Sequence, residues 1–294
     1  MEEILPEVSI VVPVGNISKN LDTILLSLFT QSYPNFEIII INNNCDSKTT
    51  ELIDNYEKFD SRIKVIKLKE KINLLRCCKI GAEYSRSNYI TFLDSSKRMF
   101  FPQSALFRLL EILKNNKADF VYPACMVQEL ATFKHIPLYR VSLNEIMRKP
   151  AFSPKELNPE ILFKLNLSIF GKFFKKEFFD SIPSSLFDET YFLKLFFAAK
   201  TISYDDICLH IMTIDKEELI KPNEVFEQRS NEKLLEQLNL DSSYKEELIK
   251  HKIWKYYITL QYLPKEKREK FSLEVTEDLK NIDISKYSIV GEKI

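Results

Sequence analysis

Two apolar runs near the amino terminus, VSIVVPV at 8–14 and EIIII at 37–41, most constrain the fold of this chain. Neither alternates polar and apolar residues, as a strand with one wet face would. Both are rich in β-branched residues, and both read as strands covered on both faces, the habit of parallel sheets. IKVIKL at 63–68, YITFLD at 89–94 and residues 120–127 continue the series. Helical patterns lie between them. Residues 18–30 place Leu21, Ile24, Leu25, Leu28 and Phe29 at helical spacing, with Ser18 as the expected N-cap. Residues 47–59 and 74–85 read as crossover helices, and 102–114 as a helix with Pro102 in its first turn.

Strand–helix alternation over residues 8–127 implies a doubly wound α/β sheet. Such sheets bind ligands beyond the carboxyl ends of their strands. Three segments fall there: Gly15–Asn16, Asn42–Asp46 and Asp94–Arg98. Residues 158–165, 188–199 and 201–214 complete the domain, expected to span 1–215. From about Lys216 the chain turns polar and helical, and 216–294 reads as an α-helical C-terminal extension.

Lys and Arg number 42, as do Asp and Glu, so no global field favours a nucleic acid. Five cysteines without CxxC spacing argue against a disulfide framework or a zinc site. No apolar stretch reaches the roughly 18 residues of a membrane span. The first residues, MEEILPEV, lack the basic start of a secretory leader, so the expectation is a cytoplasmic protein.

The blocks VSIVVPVGN, LDTILLSLFTQSYPNFEIIIINNN, IGAEYSRSNYITFLDSS, FGKFFKKEFF and FDETYFLKLFFAAK, in that order, resemble family 2 glycosyltransferases over roughly residues 6–212. The resemblance implies the GT-A fold and an inverting transfer from a nucleotide-diphosphate sugar, with UDP the expected nucleotide. It implies as acceptor a hydroxyl of a glycan or lipid-linked glycan in bacterial surface polysaccharide or glycoconjugate synthesis. Such a reaction needs a nucleoside pocket, positive charge for the diphosphate and a base for the hydroxyl proton.

Carried over residue by residue, the resemblance places Pro13, Val14, Asn16, Asn42 and Asn44 in the donor site; the alternative for Gly15-Asn16 is a simple strand-to-helix turn. Asn42 stands where relatives commonly carry an Asp that accepts from the base, and its plain alternative is a loop asparagine. Arg76 is a candidate donor to the diphosphate, and so is Lys79, the alternative being a solvated cation on a helix, favoured for Lys79; Cys78-Lys79 stands where relatives show Arg-Asn. Asp94 matches the first acid of the metal-binding Asp-x-Asp, and Ser96 replaces the second. Three readings stay open there: weak Mg²⁺ or Mn²⁺ binding through Asp94, substitution of the metal's charge by Lys97 or Arg98, or a dead site. Glu189, after Asp188, holds the place of the base, and the alternative for this pair is a helix-start acid pair. His210 reads as structural. The helix at 244–263 is either a membrane-surface or subunit contact or ordinary packing. A catalytically inactive scaffold subunit is the competing function.

Overall fold

The computed structural model describes residues 5–15, 20–95, 98–100, 102–129, 150–163, 165, 167–183, 188, 190–214 and 224–287. A mostly parallel sheet runs β3-β2-β1-β4-β8-β6-β9-β5, with β5 (Arg98–Phe100) at one edge and β7 (Ala151–Phe152) paired to β9 (Ile202–Ile214). β1 (Val8–Val14), β2 (Phe36–Asn42), β3 (Ile63–Lys67) and β4 (Tyr89–Phe92) are parallel neighbours, and all seven residues of both β1 and β2 are buried. The four strands lie within a residue or two of where the apolar runs place them.

Side chains alternate between two cores. Val8, Ile10, Val12, Ile38 and Ile40 face α1 (Leu21–Phe29), α2 (Ser47–Phe59) and α4 (Ala105–Asn115). Val11, Ile39, Ile41, Ile90 and Phe92 face α3 (Leu74–Tyr84), α5 (Pro159–Leu162), α6 (Lys176–Ser181) and α7 (Tyr191–Ala198). α3 comes very close to β1: a methyl group on Gly81 would overlap the side chain of Val11. Asp46 caps α2 by accepting from the Thr49 N–H at 2.7 Å, as its position in the sequence suggests.

Other features follow from long-range contacts. β8 (Phe173–Lys175) enters antiparallel between β4 and β6 (Phe120–Glu129). The turn feeding it needs a glycine, because Gly171 has φ 75° and donates its N–H to Phe92 O at 2.8 Å. α4 starts at Ala105 instead of Pro102. Pro102 O accepts from Gln31 Nε2 and Gln103 O from Ser32 N, both at 2.8 Å, while Gln31 Oε1 accepts from Leu106 N and so caps the helix from across the fold. α1 likewise begins late, after Asn20, and Ser18 lies outside the described residues. α7 begins at Tyr191, three residues beyond its expected start.

The C-terminal extension contains α8 (Glu224–Gln237), α9 (Ser242–Tyr262) and α10 (Lys265–Leu279). Leu234, Leu235, Tyr244 and Leu248 join the core of the α/β domain, so the extension is packed onto it. Ile253, Tyr256, Phe271 and Leu279 form a smaller core of their own. At its edge the buried Lys252 ammonium pairs with Glu232 at 2.8 Å and Asp278 at 2.7 Å, and Asp278 also accepts from Tyr256. α9 therefore uses Leu248, Ile253 and Tyr256 internally, and among the described residues no helix is long and apolar enough to cross a membrane. The expected boundary at 215 falls outside the described residues.

The Gly81–Val11 contact makes a prediction. Gly81→Ala should destabilise the chain by about 1–3 kcal/mol, the usual cost of overpacking a close contact. Urea unfolding with an unchanged m-value would read this directly. Gly15→Ala, where an added methyl group meets nothing within 4 Å, is the control that should leave stability unmoved.

Candidate active site

The strand order puts the topological switch point between β1 and β4, where a doubly wound sheet opens its crevice. The backbone there explains why the sheet parts. Leu93 N donates to Val11 O at 2.9 Å, one step beyond β4. The next position on that side of β1 is Pro13, which has no N–H to give. Its carbonyl instead accepts from the Ser95 hydroxyl at 2.7 Å. Side-chain bonding thus replaces the ladder, and the two strands separate.

Asp94 stands at this parting and is 3% exposed. Ile90 and Phe92 face α3, and the alternation carries Asp94 to the same side. Burial, then the neighbouring Cys77, and then Asp94 raise the pKa of the Cys78 thiol. Burial pushes Cys77 up to about 11 and raises Cys45, so all three thiols are protonated at neutral pH.

The three asparagines after β2 have three different positions. Asn42 faces the α2 side: its Oδ1 accepts from Cys45 N at 2.9 Å and its Nδ2 donates to Thr50 Oγ1 at 3.0 Å. That side chain shapes the loop. Asn43 points to the other side, donating to Ile72 O and accepting from Ile72 N, both at 2.9 Å. It ties the loop after β2 to the segment entering α3. Asn44 is exposed with φ 51°, a left-handed conformation asparagine tolerates. The sequence reading named Asn42 and Asn44 as candidates; the opposite facing of Asn42 and Asn43 follows from the strand's alternation, counted to its last residue.

The Asn43 bridge brings the amino end of α3 to the crevice. Asn73 caps this helix through Leu75 N at 2.8 Å, and Arg76 is exposed in its first turn. Helix dipole and guanidinium together favour an anion there. Lys79 turns away and pairs with Asp180 of α6 at 3.8 Å.

On the far side of β4, Lys172 is almost fully buried at 1% exposure. Its ammonium lies 4.5 Å from the Tyr122 ring centroid and 5.3 Å from that of Phe192 in the first turn of α7. No sequence signal singled it out within FGKFF, because nothing local marks one lysine of that block as buried. Asp188, before α7, accepts from Thr190 N at 2.9 Å, Thr190 Oγ1 at 2.6 Å and Lys194 Nζ at 2.7 Å. Partial burial alone would raise its pKa, but Lys194 and the two Thr190 donors hold it below the usual carboxylate range. A carboxylate so engaged is a weak base, which leaves Glu189 the better candidate. Asn16, Ser96, Lys97 and Glu189 lie outside the described residues, as do the side chains of Arg98 and His210.

Among the described residues no group of three or more His, Cys, Asp or Glu side chains could hold a metal ion. A Mg²⁺ or Mn²⁺ ion takes about six oxygen ligands, and one carboxylate does not preform such a site.

A crevice at the carboxyl ends of β1 and β4, a buried acid beside it and a helix amino end with an exposed arginine define a GT-A-type α/β protein. The family model described as glycosyl transferase family 2 matches residues 9–197. The chain belongs to that family. It is 27% identical over 186 residues to EpsJ of Bacillus subtilis (strain 168), an uncharacterized glycosyltransferase, covering 63% of this chain and 52% of the relative. It is 28% identical over 137 residues to TuaG of the same organism, named for teichuronic acid biosynthesis, covering 45% of this chain and 54% of that one. The chain thus spans about half the length of these curated relatives. Among solved structures, S. aureus TarS 1-349 superposes with TM-score 0.66 at 14% identity, over 95% of this chain and 82% of that one. A coverage that high takes in the helical extension as well as the sheet.

The Asp188 cluster gives a pH-dependent prediction. Its folded pKa is lowered, so its stabilisation is present above the unfolded value of about 4 and disappears as pH falls through the folded value. Asp188→Asn should therefore lower the melting temperature at pH 7. The gap to wild type should close progressively below about pH 4. An equal gap at both pH values would show that charge is not the cause.

Proposed function

We propose that this chain transfers a sugar, with inversion, from a nucleoside-diphosphate donor to a hydroxyl of a glycan or lipid-linked glycan in bacterial surface polysaccharide synthesis. The observation that carries the reading is the placement of Asp94. It is a buried acid at the parting of β1 and β4, beside the capped amino end of α3, in a chain of family 2. TarS is described in complex with UDP-GlcNAc, which supports a nucleotide-sugar donor and makes UDP the first nucleotide to test.

In this reading the nucleoside rests against Pro13, Val14, Asn43 and Asn44, with Asn42 holding the loop that presents them. Asp94 orients the donor's ribose and diphosphate. Arg76 and the α3 amino end stabilise the diphosphate as it leaves. Glu189 takes the acceptor's proton. Lys97 is the remaining sequence candidate for positive charge at the leaving group. Among the described residues no group of three or more His, Cys, Asp or Glu side chains is placed to hold a divalent ion, and no step is assigned to one.

The test is a thermal-shift panel with UDP-, GDP- and CMP-linked sugars, with and without Mn²⁺, because binding to the native state raises stability. At least one donor should stabilise the wild type, and Asp94→Ala should abolish that response. Glu189→Gln should keep donor binding and lower kcat about 10²–10⁴-fold, the usual share of a general base. If no donor stabilises the protein, the transferase reading fails and a scaffold subunit takes its place.

A further inference from the structure

The loop after β2 carries three asparagines, and two of them are used inside the protein. Asn42 is 3% exposed, accepts from Cys45 N and donates to Thr50 Oγ1. Asn43 is also 3% exposed; it accepts from Ile72 N and donates to Ile72 O. The polar groups that follow are engaged as well: the Cys45 thiol donates to Val14 O at 3.1 Å, and Asp46 caps α2. Asn44 differs. It is exposed, and its side-chain amide bonds to none of the described residues. Its backbone is nevertheless held in place. Asn43 N donates to Val14 O at 3.0 Å, and Asn44 N to Asn42 O at 3.0 Å. The residues on both sides of Asn44 are thus bound to the last carbonyl of β1, which sets Asn44 at the rim of the crevice. Its φ of 51° would suit a glycine equally well, so the turn alone does not call for an amide.

We infer that Asn44 reads the base of the donor nucleotide and accepts uracil and cytosine nearly alike, so that the site takes UDP- and CDP-linked donors with little preference between them. The inference rests on the proposed transferase reading and adds which bases its donor can carry. An amide offers an acceptor and a donor side by side. Against uracil, the Asn44 oxygen accepts from N3–H while its nitrogen donates to the adjacent carbonyl. Turned over about its last side-chain torsion, the same amide donates to cytosine N3 and accepts from the cytosine amino group. An amide that is not bonded to the protein can make that turn, and it then leaves no group on this edge of either base unpaired. A carboxylate has no such choice. It accepts from uracil N3–H but meets a lone pair at cytosine N3, and an unpaired polar group is what makes a hydrogen-bonding site selective.

The test is calorimetric binding of UDP, CDP and GDP to the full chain at neutral pH, where cytosine N3 is unprotonated. Wild type should bind UDP and CDP within about threefold of each other. Asn44→Asp should shift that ratio about tenfold or more in favour of UDP. Both ligands carry the same ribose and diphosphate, so the added charge cancels in the ratio. Asn44→Gly should weaken both by about three- to tenfold and leave their ratio near one. Asp and Gly both tolerate the left-handed backbone at this exposed position, and an unchanged melting temperature verifies that the variants fold. Three results would overturn the inference and leave the transferase reading standing: a tenfold or greater preference of wild type for either pyrimidine nucleotide, an unchanged ratio in Asn44→Asp, or an Asn44→Gly variant that binds both as tightly as wild type. A wild type that binds GDP but neither UDP nor CDP would do the same. If wild type binds none of the three, the transferase reading fails first and this inference with it.

Discussion

The central strands β1 and β2 are buried on both faces, and most of what this protein can do follows from that constraint. A residue in the middle of either strand meets hydrocarbon above and below, so a polar side chain has to bring its own partners or sit at a strand end. The amino ends show the first solution. Ser9 donates to Glu37 at 2.6 Å, Ser85 and Ser87 each donate to Ser9 at 2.7 Å, and the Arg86 N–H reaches Glu37 at 2.9 Å. This network ties β1, β2 and the entry to β4 together at the end away from the crevice. The carboxyl ends show the second, where Asn42, Asn43, Asp94 and Ser95 gather because the strands run out.

The crevice is a product of backbone chemistry as much as of side chains. Pro13 withholds an N–H at the step where β1 and β4 would otherwise stay paired, and Ser95 substitutes a hydroxyl for the missing main-chain bond. On the neighbouring side, Asn43 grips both polar groups of Ile72 and pulls the start of α3 into place. Gly81 lets that helix lie directly on Val11. The acid, the helix amino end and Arg76 are thus set by this frame, as the proposed donor site requires.

The helical extension belongs to the same frame. Tyr244 and Leu248 of α9 reach into the core under α5 and α7, and Tyr244 stacks edge-on against Phe197 at 5.7 Å. Its remaining apolar residues close a second core around Tyr256, where Asp278 is held ionised by Lys252, Arg229 and the Tyr256 hydroxyl against the opposing effect of burial. Leu248, Ile253 and Tyr256 of this helix are thus used in packing, while Tyr257 stays exposed.

The sequence by itself determined the four parallel strands, the crossover helices between them, the α2 cap at Asp46 and the family. Each of these depends on local pattern or on motif order, and local pattern is written in consecutive residues. It also located Asp94, because an apolar run that ends on one acid is visible without a structure. The tertiary structure alone decided the antiparallel β8, the late start of α4 under Gln31, the bonding of Asn42 and Asn43 to their separate partners, the engagement of Asp188 and the burial of Lys172. Each of those depends on partners dozens of residues away, and what fixes them is the cost of leaving a buried donor, acceptor or charge without one.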